Sequence, residues 1–121
     1  MSLDVYLRSK DVVCEQCGAR HTCCEPMLVF EANITHNLGE MAADAGLYKC
    51  LWRPDEIGIT KAAQLVEPLR LGLAQLRGDR KRYEKLNPEN GWGYYDGLVG
   101  FVERYLTACL ANPEADISVS R

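Results

Sequence analysis

The chain has 121 residues and a mass of 13.6 kDa, the length of a single domain, and we predict one domain over residues 1–121. Hydrophobic residues make up 47% of the sequence and charged residues 26%, which excludes disordered, collagen-like and fibrous proteins. The net charge of −3 makes nucleic acid an unexpected partner. No apolar run has the length of a membrane span and the N-terminus lacks a signal-peptide pattern, so we expect no membrane association and a cytoplasmic location.

Three segments have the hydrophobic pattern of β-strands. Leu3, Val5 and Leu7 alternate with more polar residues, which predicts a half-buried strand. Residues 27–32 are apolar enough for a strand covered on both faces, and residues 116–120 alternate again. We expect the first two strands to form a long hairpin and the third to pair with them in a small antiparallel sheet.

The middle of the chain predicts helices that cover one face of this sheet. Asn33 or Thr35 is placed to cap a helix that ends near Gly46. A short helical turn follows and stops before Pro54, because the residue before a proline is pushed out of the helical region.

Three further helical patterns follow, and two of them are long. Thr60 is placed to cap a helix in which Pro68 predicts a kink or a break, and residues 80–86 predict a short basic helix. Residues 95–109 give the clearest helical spacing, which Asn112-Pro113 ends. The predicted fold class is therefore α+β, a small antiparallel sheet packed against three to four helices.

Four of the six cysteines crowd into one stretch, residues 9–26, which we expect to form an arm between the two hairpin strands. In Cys14-Glu15-Gln16-Cys17-Gly18, two residues separate the thiols, so that both sulfurs can reach one ion at about 2.3 Å. The glycine permits a tight turn that leaves amide hydrogens free to donate to the sulfurs. The pattern predicts a zinc-knuckle-like site with structural zinc, and its preferred ligands are Cys14, Cys17, Cys24 and either His21 or Cys23.

Two other interpretations of the arm stay open, free thiols in an exposed loop and thiol redox chemistry. Redox chemistry is less favoured because a redox CxxC motif usually opens a helix, whereas this motif lies in a predicted loop and encloses Glu15. Four protein ligands would close a zinc site and leave no position for a catalytic water. Cys50 and Cys109 lie in apolar helical patterns, and we expect them to be core side chains.

A second cluster is polar. Residues 33–37 (Asn-Ile-Thr-His-Asn) put hydrogen-bonding side chains where a strand meets a helix, and free backbone amides there favour anions. His36 is the candidate catalytic residue of a ligand-binding cleft, whose other candidate residues are Asn33, Asn37, Arg53, Asn90 and Trp92. The competing interpretation is structural: caps at Asn33 and Thr35, a turn-bonded His36 and tryptophans in the core. No Ser-His-Asp order or phosphate-binding motif occurs, so the cluster defines no reaction.

One positive patch runs from Arg77 to Lys85. On a chain of net charge −3, a solvated helix face is favoured over contacts with phosphate.

Three segments carry a resemblance to known proteins: residues 33–37, residues 51–60 with their Leu-Trp-Arg-Pro start, and residues 87–93 (Asn-Pro-Glu-Asn-Gly-Trp-Gly). Together with the ending Ile-Ser-Val-Ser-Arg, they resemble a group of small uncharacterised proteins of bacteria and their phages. The resemblance extends from about residue 33 onward and implies an intracellular protein of phage or mobile-element origin. It supplies no catalytic residue.

We therefore expect a small soluble binding or interaction protein with a zinc-ordered arm and an unknown protein or small molecule as its partner. The alternative is an enzyme or ligand-binding protein that uses the cleft around His36.

Overall fold

The computed structural model describes residues 2–9, 27–87 and 93–121. These ranges contain three strands, β1 (Ser2–Ser9), β2 (Met27–Thr35) and β3 (Asp116–Ser120). They also contain five α-helices, one more than the upper number expected: α1 (Gly39–Asp44), α2 (Tyr48–Trp52), α3 (Ala62–Gly78), α4 (Arg80–Glu84) and α5 (Tyr95–Ala111). The α+β prediction is confirmed. No described helix has the combined length and apolar character that crossing a membrane requires.

β1 is the central strand of an antiparallel sheet with the order β2-β1-β3. Val5 lies opposite Ala32 on one side and opposite Val119 on the other. The alternation predicted for β1 is confirmed, since Leu3, Val5 and Leu7 are fully buried. The predicted pairing of all three strands is confirmed as well.

The prediction that β2 is covered on both faces is wrong. Phe30 and Ile34 point towards the helices, but Glu31 and Asn33 are exposed and Leu28 keeps 46% of its surface accessible. Only one face of a sheet with a single helical layer is covered, so alternate side chains of β2 meet solvent. β2 also continues to Thr35, so that Asn33 lies inside the strand and caps nothing.

Thr35 is the residue that caps the chain as it leaves β2. Its Oγ1 accepts a hydrogen bond from the Asn37 backbone nitrogen at 3.3 Å, and a short 3-10 turn, His36–Leu38, leads into α1. Gly46 follows the end of α1 with a φ of +77°, a left-handed conformation that glycine adopts without steric cost. The predicted helix end near Gly46 is confirmed.

The structure of α3 differs in two details from the sequence prediction. It runs unbroken from Ala62 to Gly78 through Pro68, although an interior proline costs roughly 3 kcal/mol. Packing outweighs that cost, because apolar side chains before and after the proline are buried, among them Leu65, Leu69 and Leu76. The capping residue is Lys61 rather than Thr60, because α3 begins at Ala62. Gln64 Oε1 accepts from the backbone nitrogens of Lys61 and Thr60, at 3.0 and 2.8 Å.

α5 forms as predicted and packs against both α3 and β2. The Tyr95 hydroxyl, at the start of α5, donates to the Leu76 carbonyl in α3 at 2.6 Å. Further along α5, the Tyr105 ring stacks on Phe30 of β2, with ring centroids 5.7 Å apart. The core therefore lies between the inner face of the sheet and the α3–α5 pair.

Gly72 of α3 is a point of close approach inside this core. A Cβ atom on Gly72 would lie 2.9 Å from Leu47 Cδ1 and still nearer to Cγ and Cδ2 of the same side chain. Leu47, which precedes α2, is fully buried. The absence of a side chain at position 72 therefore lets α3 approach the α1–α2 connection.

We predict that Gly72→Ala lowers the free energy of unfolding by about 1–3 kcal/mol, because the new methyl group displaces Leu47. Gly78→Ala is the matched control in the same helix, since nothing lies within 4 Å of a Cβ there. Urea denaturation should show the control as stable as the parent or slightly more so. Equal stability of the two variants would contradict the proposed close packing.

We also predict that Tyr105→Phe leaves stability unchanged or raises it by up to about 1 kcal/mol, because the buried Tyr105 hydroxyl has no hydrogen-bond partner in the part of the chain that the structure describes. Tyr95→Phe removes a made hydrogen bond and should cost about 1 kcal/mol. Thermal and urea unfolding of the pair measure the difference. A larger loss in Tyr105→Phe than in Tyr95→Phe would contradict it.

Candidate functional site

The predicted zinc ligands lie outside the described residues, as do two candidates of the polar cleft; together these are Cys14, Cys17, His21, Cys23, Cys24, Asn90 and Trp92. The structure does define the two ends of the cysteine-rich segment. Ser9, the last residue of β1, lies opposite Met27, the first residue of β2, in the antiparallel register. Within residues 2–9, 27–87 and 93–121, no group of three or more His, Cys, Asp and Glu side chains could hold a metal.

The core of the polar cluster is a hydrogen bond between His36 and Trp52. Trp52 Nε1 donates to His36 Nδ1 at 2.7 Å, and the indole is almost fully buried at the end of α2. Because Nδ1 accepts, the neutral imidazole carries its proton on Nε2. Tyr48 stacks on Trp52, with the two ring centroids 5.4 Å apart and the ring planes 13° apart.

Two arginines border the same corner of the fold. Arg53 forms an ion pair with Glu56 at 3.1 Å, and hydrogen bonds to Tyr48 and then to Glu56 raise the pKa of Arg53. Arg121 donates from Nη1 to the Trp52 carbonyl at 3.1 Å and so occupies an acceptor at the end of α2. The corner is thus held together by side-chain contacts of its own residues.

Asn33 does not join His36. It points to the solvent face of the sheet, where its Nδ2 donates to Asp4 Oδ1 at 2.7 Å and to Ser2 Oγ at 2.8 Å. Asn37 is exposed beyond the Thr35 cap. The described candidates of the predicted cleft therefore divide between the His36–Trp52 corner and the outer face of the sheet.

A groove of about 410 Å³ lies between the end of β2 and the first half of α5. It contains Asn33 of the predicted set, but His36, Asn37 and Arg53 are not among its described lining residues. Other residues that line this groove are Ile34, Thr35, Tyr94, Gly97, Gly100 and Arg104. The sequence reasoning missed it, although the glycine spacing on the predicted helix 95–109 was a local signal for an open helix face.

The positive patch is largely compensated by carboxylates. Arg77 pairs with Glu103, and Arg82 makes a two-pronged contact with Asp44 at 2.7 and 2.8 Å. A third cation, Arg80, contacts both Glu84 and Asp96. These contacts favour the solvated helix face over a phosphate-binding surface.

Cys50 and Cys109 are buried in the core, as predicted. Burial raises the pKa of each thiol to about 12, and the Cys50 thiol also donates to the Leu47 carbonyl at 3.2 Å. At neutral pH both thiols are therefore protonated and poor nucleophiles.

Comparison of the chain with protein-family models, with curated proteins and with solved structures gave no match.

We predict that His36 and Trp52 are energetically coupled by about 1 kcal/mol, the typical net contribution of one intramolecular hydrogen bond. A double-mutant cycle of His36→Ala, Trp52→Phe and the double variant, measured by urea unfolding, gives this coupling. The core loses more in the tryptophan variant, but the cycle removes that contribution. Strictly additive losses would show that the two side chains only lie next to each other.

Proposed function

We propose that this protein is a small, non-enzymatic binding protein whose segment 10–26 is ordered by a structural zinc ion. The observation that supports the proposal is the pairing of Ser9 with Met27. This pairing holds the two ends of segment 10–26 next to each other. The segment contains four cysteines and one histidine. Every ligand of the proposed site therefore comes from one closed loop.

This closure favours metal binding. The antiparallel pairing of β1 and β2 already meets the entropic cost of bringing the segment's ends together, so zinc has to order only the residues between them. We propose Cys14, Cys17, Cys24 and either His21 or Cys23 as the ligands, four donors that close a tetrahedral site. Such a site is structural, and it presents the segment as a rigid surface for a partner.

The buried thiols support the same assignment by elimination. Cys50 and Cys109 are buried in the core, and no group of three or more His, Cys, Asp and Glu side chains within residues 2–9, 27–87 and 93–121 could hold a metal, so the proposed thiolate ligands come from the other four cysteines. Thiolates persist in a reducing compartment, and we propose a cytoplasmic location for this reason. Membership in the group of small bacterial and phage proteins is part of the same proposal and assigns no activity.

The alternative function, an enzyme or small-ligand-binding protein, has weaker support. Its candidate base His36 already accepts a hydrogen bond at Nδ1 from Trp52, and Arg53 already contacts Glu56. Only the Nε2 side of the imidazole is then available to a ligand. The observation that favours this alternative is the nearness of His36 to the aromatic pair of Tyr48 and Trp52.

We predict about one zinc ion per chain in protein purified under reducing conditions, measured by mass spectrometry of the metal. Cys14→Ser and Cys17→Ser should each lower the zinc content several-fold, because a thiolate ligand is lost. Cys109→Ala is the matched control, since this thiol is buried and protonated, and it should retain its zinc.

Thiol titration at pH 8 provides an independent measurement. The zinc-loaded native protein should expose few reactive thiols, a chelator should release up to four, and Cys50 and Cys109 should react only after unfolding. Metal-free protein with four rapidly reacting native thiols, after refolding with excess zinc, would overturn the zinc proposal.

A further inference from the structure

The two outer strands of the sheet differ in what covers their edges. At the β3 edge, the Ile117 backbone nitrogen donates to the Thr60 carbonyl at 3.0 Å, and Lys61 forms a β-bridge with Asp116. β2 pairs with β1 alone among the described strands. The backbone N–H and C=O groups along its other edge are therefore not paired with any described strand. Such a row of groups is a template for a further strand.

β2 also lacks most of the features that protect natural edge strands. It is nine residues long, contains no lysine or proline, and carries a single charge, Glu31. The one irregularity is a bulge opposite the Leu7–Arg8 step, near the start of β2. Residues 30–34 beyond it form a regular edge whose two large inner-face side chains, Phe30 and Ile34, favour strands.

We propose that the β2 edges of two copies of this chain pair antiparallel and join the two sheets into one of six strands. The inference goes beyond the proposed zinc-ordered binding function and does not depend on it. The interface is isologous, since the same edge serves both copies.

The self-pairing register that is centred on Ala32 fits the sequence. It places Phe30 opposite Ile34 of the other copy, both on the inner face, and Glu31 opposite Asn33 on the outer face. Every residue then keeps its face of the sheet, and no like charges meet. A register that is centred on Glu31 would put the two carboxylates directly opposite each other, which disfavours it.

Exposed apolar side chains at the two ends of the edge support the same pairing. Leu28 lies at the start of β2 and is 46% exposed, and Tyr94 lies at the other end, beside Thr35, and is 58% exposed. An antiparallel partner brings the start of one β2 to the end of the other. Leu28, which lies opposite Arg8 on the outer face, is thereby carried to the end of the partner's β2, while Tyr94 on the helical side lies beside the start of the partner's β2, and each contact occurs twice.

The groove beside β2 leaves room for the added strand. Gly97 and Gly100 present no side chains towards it, and nothing but the tip of Arg104 lies within 3.5 Å of a Cβ on Gly100. Inner-face side chains of the incoming strand can therefore lie over α5 without displacing the Phe30–Tyr105 stack.

Sedimentation equilibrium of the full chain under reducing conditions tests the proposal. We expect the mass to rise from 13.6 kDa towards twice that value as the concentration increases through the micromolar range, because a short edge makes a small interface. Leu28→Lys should raise the dimer dissociation constant at least about tenfold, since each copy contributes this contact once. Leu71→Lys, at a leucine that is 61% exposed on α3, is the matched control and should change it less than about twofold.

Tyr94→Ser is a second variant at the other end of the edge and should weaken the dimer in the same direction. Circular dichroism melts of all three variants verify that each one is folded. A single 13.6 kDa species at every concentration would overturn the proposal and leave the edge to another protein. A dimer that Leu28→Lys and Leu71→Lys weaken equally would overturn it as well, because the interface would then lie elsewhere.

Discussion

The fold depends on the burial of one face of the central strand. β1 pairs on both sides, and its three inward side chains, Leu3, Val5 and Leu7, have no accessible surface at all. A sheet with one apolar face has to bury that face against other elements, so this face requires a helical layer. α3 and α5 supply that layer, and the outer face of the sheet is left with polar side chains.

The helical layer is held by a few specific contacts as well as by apolar burial. Gly72 admits Leu47, the Tyr95 hydroxyl joins α5 to the Leu76 carbonyl of α3, and Arg121 beyond β3 reaches the Trp52 carbonyl. These contacts link segments that are far apart in the sequence. They position the His36–Trp52 corner and leave the outer edge of β2 without a partner strand among the described residues.

The local sequence pattern is sufficient to predict the strands and helices, but it does not predict what packs against them. The alternation of β1 and the helical spacing of α5 are written in consecutive residues, and both are confirmed. Whether β2 is covered on one face or two depends on how many helical layers exist, which no local pattern encodes. Pro68 predicted a kink or a break for the same reason: the burial of Leu65 and Leu76 on either side of it is a long-range fact.

The candidate site shows the same division. The sequence placed His36 among polar residues, and the structure gives it a tryptophan partner sixteen positions away. Asn33 and His36 are near in sequence, which predicts a shared cleft. The strand geometry instead turns the Asn33 side chain to the solvent face of the sheet. The groove beside α5 joins segments that are distant in the chain, so only the fold reveals it.

We propose that the sheet and helices fold without the cysteine-rich segment, whose ends the Ser9–Met27 pair holds together and which zinc orders. Amide hydrogen exchange of the zinc-loaded protein, repeated after removal of zinc with a chelator, tests this claim most directly. The claim predicts faster exchange in residues 10–26 and unchanged protection in β1, β2, α3 and α5. Unchanged exchange in residues 10–26, or loss of protection throughout the strands and helices, would contradict it.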